Sequence, residues 1–264
     1  MKFLKKIIDK QLEKIDKKEK KILNKKNSKV YEEKVSPIIN KVEESIPDRI
    51  KVTLDNAFYQ GFNTVLSKGT KYIEKLYDKE KLQIEHDIKN YAIEKSLTKK
   101  KIKELDSISK KSNFVNTTIS TVEGGGLGLL GIGIPDIPLF ITMILKTVYE
   151  IALSYGFNYE DEFEQIYVLN LICGALTSGD ELRKYNSILE QLSDDIFNNK
   201  PNNYILDEEI RNTSKVLSQA MLTTKFIQGV PIIGVIGGII NFKVINKVST
   251  YSKLKYKKRY LQKY

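Results

Sequence analysis

Residues 124–145 read GGGLGLLGIGIPDIPLFITMIL, and Asp136 is their one charge. A spanning helix needs about 20 mostly apolar residues, so by length this block qualifies. Its prolines argue otherwise. Pro135 and Pro138 bracket Asp136, and a helix cannot run smoothly through that pair. Asp136 suits an N-cap, with Pro138 in the first turn of a new helix. The block therefore divides into a Gly-rich piece, 124–134, and a helix starting near 137. At about 1.5 Å per residue, the first piece falls short of a hydrocarbon core of about 30 Å. The second helix meets Lys146 and Glu150 within a few turns. Three readings stay open: a buried core hairpin, Gly-rich helices dipping into one leaflet, and a true span.

A second apolar block, 226–242, reads FIQGVPIIGVIGGIINF and has no charge. Gly124/Gly128 and Gly234/Gly238 are each spaced GxxxG, a spacing that lets helix backbones approach closely. The expectation is a pair of helices, one from each block, at the centre of the fold. Its packing or membrane contacts would be Gly124, Gly128, Gly131, Gly133, Pro135, Asp136, Pro138, Pro231, Gly234, Gly238 and Asn241.

Outside the two blocks, apolar residues recur at helical spacing. After Pro47, Ile50, Leu54, Ala57, Phe58, Gly61, Phe62, Val65 and Leu66 mark a strong core face. Residues 70–95 make one or two surface helices, and 99–111 a short one. Helical runs follow at 146–155, 160–176, 180–197 and 206–225, with Gly156, Gly179 and Pro201 at the breaks. Nothing alternates convincingly at period two, so the fold class is all-α: a single multi-helix, bundle-like domain over 41–264. At the other end, Phe3, Leu4, Ile7, Ile8, Leu12 and Ile15 repeat among lysines as an amphipathic helix. Residues 1–40 read as a basic extension that either lies on a membrane interface or docks on the body. No apolar stretch suited to a cleavable signal peptide follows the charged start.

The chain has 264 residues and a formal charge of +11, from 44 basic and 33 acidic side chains. That charge is segregated. Residues 1–30 carry +8 and residues 243–264 carry +8, which leaves −5 on the body between. Basic ends suit a polyanion, either nucleic acid or an anionic membrane surface. The C-terminal lysines are interleaved with Tyr251, Tyr256, Tyr260 and Tyr264, which suits bases or lipid headgroups. No nucleic-acid motif accompanies them, so nucleic acid is not the expected partner. Expected contacts with an anionic surface are Lys2, Lys5, Lys6, Lys253, Lys255, Lys257, Lys258 and Arg259.

The residues state no reaction. One cysteine, Cys173, excludes an intramolecular disulfide framework and a Cys-cluster metal site. One histidine, His86, excludes a multi-His metal site. It lies between Glu85 and Asp87 and reads as exposed, while Cys173 reads as a small core residue. Glu160, Asp161, Glu162 and Glu164 lack calcium-loop spacing and read as helix-start acids. The glycines of 124–133 match neither a phosphate-binding loop nor the dinucleotide fingerprint. Asp136 is the one catalytic candidate, through a burial-raised pKa, and the cap is the simpler role.

The order of these features resembles the EcsC family of bacterial proteins. Gly133–Pro138 opens a helix that ends at Tyr155–Gly156. Glu164 and the apolar run Ile166–Leu176 follow, and then Val230–Pro231, Gly234–Gly238, Asn241 and a basic end. The resemblance covers roughly 45–264. It implies no reaction, cofactor or catalytic residue; the family's name and operon context associate it with an exporter and membrane processes. The expectation is a non-catalytic protein without cofactor, peripheral at the cytoplasmic face of the membrane, with a membrane or transporter protein as a further partner. The alternatives are a soluble helical scaffold for a protein partner and an enzyme using Asp136.

Overall fold

The computed structural model describes residues 2–24, 46–67, 73–95, 136–227 and 235–264, with isolated positions at 44, 98, 100–102, 104 and 106. Side chains at 2–4, 136, 224–227 and 235–242 are not described. Among the described residues there are helices and no strand. The chain runs through α1 (Lys2–Leu23), α2 (Asp48–Ser67), α3 (Lys79–Lys95), α4 (Asp136–Ser154), α5 (Glu162–Leu176), α6 (Gly179–Phe197), α7 (Leu206–Ile227) and α8 (Val235–Gln262).

Two helices are buried nearly all round, which marks the centre of a helical domain. In α4, Ile137, Phe140, Ile141, Ile144, Leu145, Val148, Tyr149 and Ile151 are all core residues. In α5 the buried run is continuous from Ile166 to Gly174. Helix α8 packs against both; α2 and α3 cover α4, and α6 covers α5. Helix α7 bridges α2 and α5. Helix α1 lies on α8 and α6. Thus the helices that continue the two apolar blocks, α4 and α8, pack on each other. Gly124, Gly128, Gly131, Gly133, Pro135, Pro231 and Gly234 lie outside the described residues. Asp136 opens α4 and Pro138 sits half-buried in its first turn, while Gly238 and Asn241 lie in the first turns of α8.

Among the described residues, the Ile137–Ser154 stretch of α4 is long and apolar enough to cross a membrane, and 83% of it is buried inside the protein. It also carries a buried ion pair, Lys146 Nζ to Glu150 Oε1 at 3.0 Å. Burial of this kind suits a core helix, because its apolar surface is already covered by α2, α3 and α8.

Three local features fix how the helices meet. At Gly61 in α2, an added Cβ would lie 2.7 Å from Ile141 Cδ1, so the missing side chain sets the closeness of α2 and α4. Helix α4 ends in a glycine cap: Phe157 N–H donates to Ala152 O at 3.0 Å, and Gly156 takes a φ of 75°. Helix α5 starts on Asp161, whose carboxylate accepts from Phe163 N–H at 2.8 Å and Glu164 N–H at 3.3 Å. That is a side-chain N-cap, and it puts the acidic run at a helix start, as expected.

Two expectations are corrected. The basic C-terminal segment, expected to lie against an anionic surface, is the end of α8, a packed helix with Tyr251, Lys255, Tyr256, Arg259 and Tyr260 buried. His86 is buried rather than exposed, 9% accessible, because α3 lays it against the α4–α5 turn and α8. Its Nδ1 is 3.2 Å from Ser154 O and its ring meets Tyr260 edge-on at 6.2 Å.

Candidate functional site

Buried charge concentrates on the inner face of α8. Residues 251, 255 and 259 are one helical turn apart, as are 256 and 260, so aromatic and cationic side chains share one side of the helix. That side meets α1, α5 and α6.

Lys255 is 1% accessible and has a complete set of acceptors. Its ammonium donates to Glu19 Oε1 at 2.7 Å, to Asn186 Oδ1 at 3.0 Å and to Glu190 Oε1. Tyr251 O–H donates to the same Asn186 oxygen at 2.9 Å. Lys258 shares both carboxylates, at 2.7 Å from Glu19 Oε2 and 3.2 Å from Glu190 Oε1, and reaches Asp16 at 3.3 Å. Burial pushes the Glu19 carboxyl upward, but Lys255 and Lys258 outweigh it and hold its pKa below the usual value. Burial disfavours the Lys258 cation, yet Glu19 and Glu190 raise its pKa above the ordinary lysine range.

A second buried pair lies one turn on. Arg259 donates from both Nη atoms to Glu164, at 2.7 Å and 2.9 Å, in the fork geometry suited to a carboxylate. Tyr256 O–H donates to Glu164 Oε1 at 2.8 Å. The Arg259 guanidinium lies 4.1 Å from the Tyr167 ring centre and 4.3 Å from that of Phe157. Burial works against the Arg259 cation, and Glu164 more than restores it. Burial, with Glu164 beside it, lifts Tyr256 well above the usual phenol value. Outside this face, Lys257 Nζ lies 2.5 Å from Asp106, and Lys253 is half-buried with partners of its own.

A tyrosine cluster lies where the α4–α5 turn meets the start of α3. Tyr149 and Tyr159 stack with ring centres 3.9 Å apart. Tyr159 O–H donates to Glu74 at 2.7 Å and shares a hydrogen bond with Tyr77. Lys79 reaches Glu74 at 2.7 Å and Glu160 at 2.6 Å. Burial raises the pKa values of Tyr77, Tyr149 and Tyr159.

Apart from the Tyr167 hydroxyl, which has no hydrogen-bond partner among the described residues, these arrangements are saturated ion pairs and hydrogen bonds. Among the described residues no group of three His, Cys, Asp or Glu could hold a metal ion. Cys173 is buried, as expected, and burial pushes its thiol up to about 12, so it carries little thiolate near neutral pH.

The residues expected to meet an anionic surface divide in two. Lys5 and Lys6 are exposed on α1, and Lys2 is in the same helix. Lys255, Lys257, Lys258 and Arg259 instead face carboxylates of α1, α5, α6 and residue 106. Their partners Glu19, Glu164 and Glu190 were not singled out as partners by sequence; the signal was the four-residue spacing of tyrosines and cations in 251–260.

The fold is thus a helical domain with a buried polar seam along its last helix, and its relatives place it. The EcsC protein family profile matches residues 9–261, so the chain belongs to that family. The match begins inside α1, well before the expected start near 45. The chain is 27% identical over 168 residues to the uncharacterised protein YdbA of Bacillus subtilis (strain 168), covering 59% of this chain and 57% of that protein. It is 26% identical over 148 residues to the protein EcsC of the same strain, covering 54% and 58%. The chain spans somewhat over half the length of these curated relatives. No solved structure matches.

Proposed function

We propose that this protein is a non-catalytic peripheral protein of the cytoplasmic membrane face, held to anionic headgroups by the outer side of α1. The observation that carries this reading is the composition of that side. Lys5, Lys6, Lys10, Lys14, Lys17, Lys18, Lys20 and Lys21 are exposed, against exposed Asp9 and Glu13. Among the described residues, Lys17 alone of these has an ion-pair partner on the helix, Glu13 at 2.7 Å. The apolar side is used inward, with Ile8 and Ile15 buried in the core. Attraction of the remaining lysines to an anionic leaflet is worth about 1 kcal/mol each near the surface. The contact is electrostatic and at headgroup level. A membrane or transporter protein is the further partner in this reading, by the family's association.

Flotation with vesicles tests it. The full chain is expected to float with vesicles rich in phosphatidylglycerol and not with phosphatidylcholine vesicles, and to be released as salt is raised. Lys10→Glu, Lys14→Glu, Lys18→Glu and Lys21→Glu together should abolish flotation. Equal behaviour with both vesicle types would overturn the reading.

A second reading, a soluble helical scaffold for a protein partner, is favoured by α3. Ile84, Ile88 and Tyr91 share one side of that helix at 50%, 64% and 61% exposure. A chain that stays monodisperse without detergent, ignores both vesicle types and loses a recovered partner on Ile88→Asp would support the scaffold instead.

A further inference from the structure

We infer that the cavity between the ends of α6 and α8 binds a small monoanionic amphiphile, a carboxylate carrying an apolar chain or ring. The cavity measures about 580 Å³, within the range of small-molecule sites. Phe157, Ile196 and Phe197 supply its apolar lining, and Ser193, Gln262 and Lys263 supply polar groups. Phe197 is 63% exposed, a large aromatic surface that a ligand would cover.

The charges on its walls select the ligand. Arg259 lines the cavity but is neutralised by Glu164. Glu190 is engaged by Lys255 and Lys258, and Asp194 by Lys200 at 2.6 Å. Lys263 differs from all of these. It has no carboxylate partner among the described residues, and its ammonium sits 4.1 Å from the Phe157 ring centre. Although the residue reaches solvent, desolvation of its ammonium and then the nearby Arg259 push its pKa down. An anion at that point supplies the counter-charge that Glu164 gives Arg259. Glu190 and Asp194 also line the cavity, which disfavours a multiply charged head and favours a single carboxylate. The apolar part then rests on Phe157 and Phe197.

This site is independent of the lysine face of α1. Isothermal titration of the full chain with decanoate, decanol and inorganic phosphate tests it. Decanoate is expected to bind one to one, and decanol and phosphate at least about tenfold more weakly. Lys263→Gln should weaken decanoate about tenfold without changing the melting temperature, since the side chain forms no ion pair. Phe197→Ser, at an exposed position, should weaken it as well. Absence of decanoate binding at millimolar concentration, equal affinity for decanol, or unchanged affinity in both variants would overturn the inference.

Discussion

Arg259 shows what a single buried charge demands. The residue is 5% accessible, and its guanidinium rests on one carboxylate, Glu164, which also accepts from Tyr256. Removing one partner leaves the other charged and buried, at a cost of about 3–5 kcal/mol. Arg259→Met should therefore lower stability by that order in urea denaturation. Adding Glu164→Leu and Tyr256→Phe should restore much of the loss, because no uncompensated charge remains. His86 gives a pH-dependent case. Burial, the largest influence, lowers its folded pKa below the unfolded value, against the Ser154 carbonyl and Asp87, while Lys263 adds to the lowering. Above the unfolded value of about 6.5 both states are neutral, and the group has no effect on the balance. As pH falls below it, the unfolded chain takes up the proton first, so stability falls until the folded pKa is passed. The urea midpoint should drop between pH 7.5 and 5.5, and His86→Gln should flatten that drop, while an unchanged slope would show that other groups set it.

At the scale of elements, the clearest join is the α4–α5 turn. Gly156 adopts a φ of 75°, and a Cβ there would lie 2.3 Å from His86 Nε2. Gly156→Ala thus meets both backbone strain and a collision, and should cost at least about 2 kcal/mol. Combined with His86→Ala, which removes the obstructing ring, the two changes should cost clearly less than their sum. The break at Gly156 was legible in the sequence, as were the helical runs through 146–225, because apolar spacing and Gly or Pro punctuation are local signals. The outer limits of α5 and α6 follow those signals within a residue or two. The polar seam was not legible in the same way. A lysine on a helix looks alike whether it meets water or Glu19, and a sequence separation of 236 between Lys255 and Glu19 leaves no local trace. His86 was misplaced for the same reason: its neighbours Glu85 and Asp87 are polar, but Ser154 and Tyr260, which enclose it, are remote in sequence.

At the scale of the whole molecule, net charge of +11 describes an asymmetry that folding partly cancels. The basic end of the chain is turned against acids from α1, α5 and α6, whereas the basic start keeps its lysines outward. Helix α1 has two jobs in that arrangement. It presents the cationic face, and it supplies Glu19, 6% accessible, to two lysines of α8, beside the buried Ile8 and Ile15. A basic extension merely attached to a finished domain could be removed without consequence. The structure argues the reverse, since deleting residues 1–24 would leave Lys255 and Lys258 to share Glu190 and would bare the apolar surface of α8. The truncated chain should therefore melt in a single transition at a clearly lower temperature than the full chain. Glu19→Gln in the full chain should reproduce part of that loss through Lys255 alone, and its effect should be nearly insensitive to salt, as expected of a buried pair rather than a surface one. If truncation left the melting temperature unchanged, α1 would be an appendage, and only its outward lysines would remain to explain why it is there.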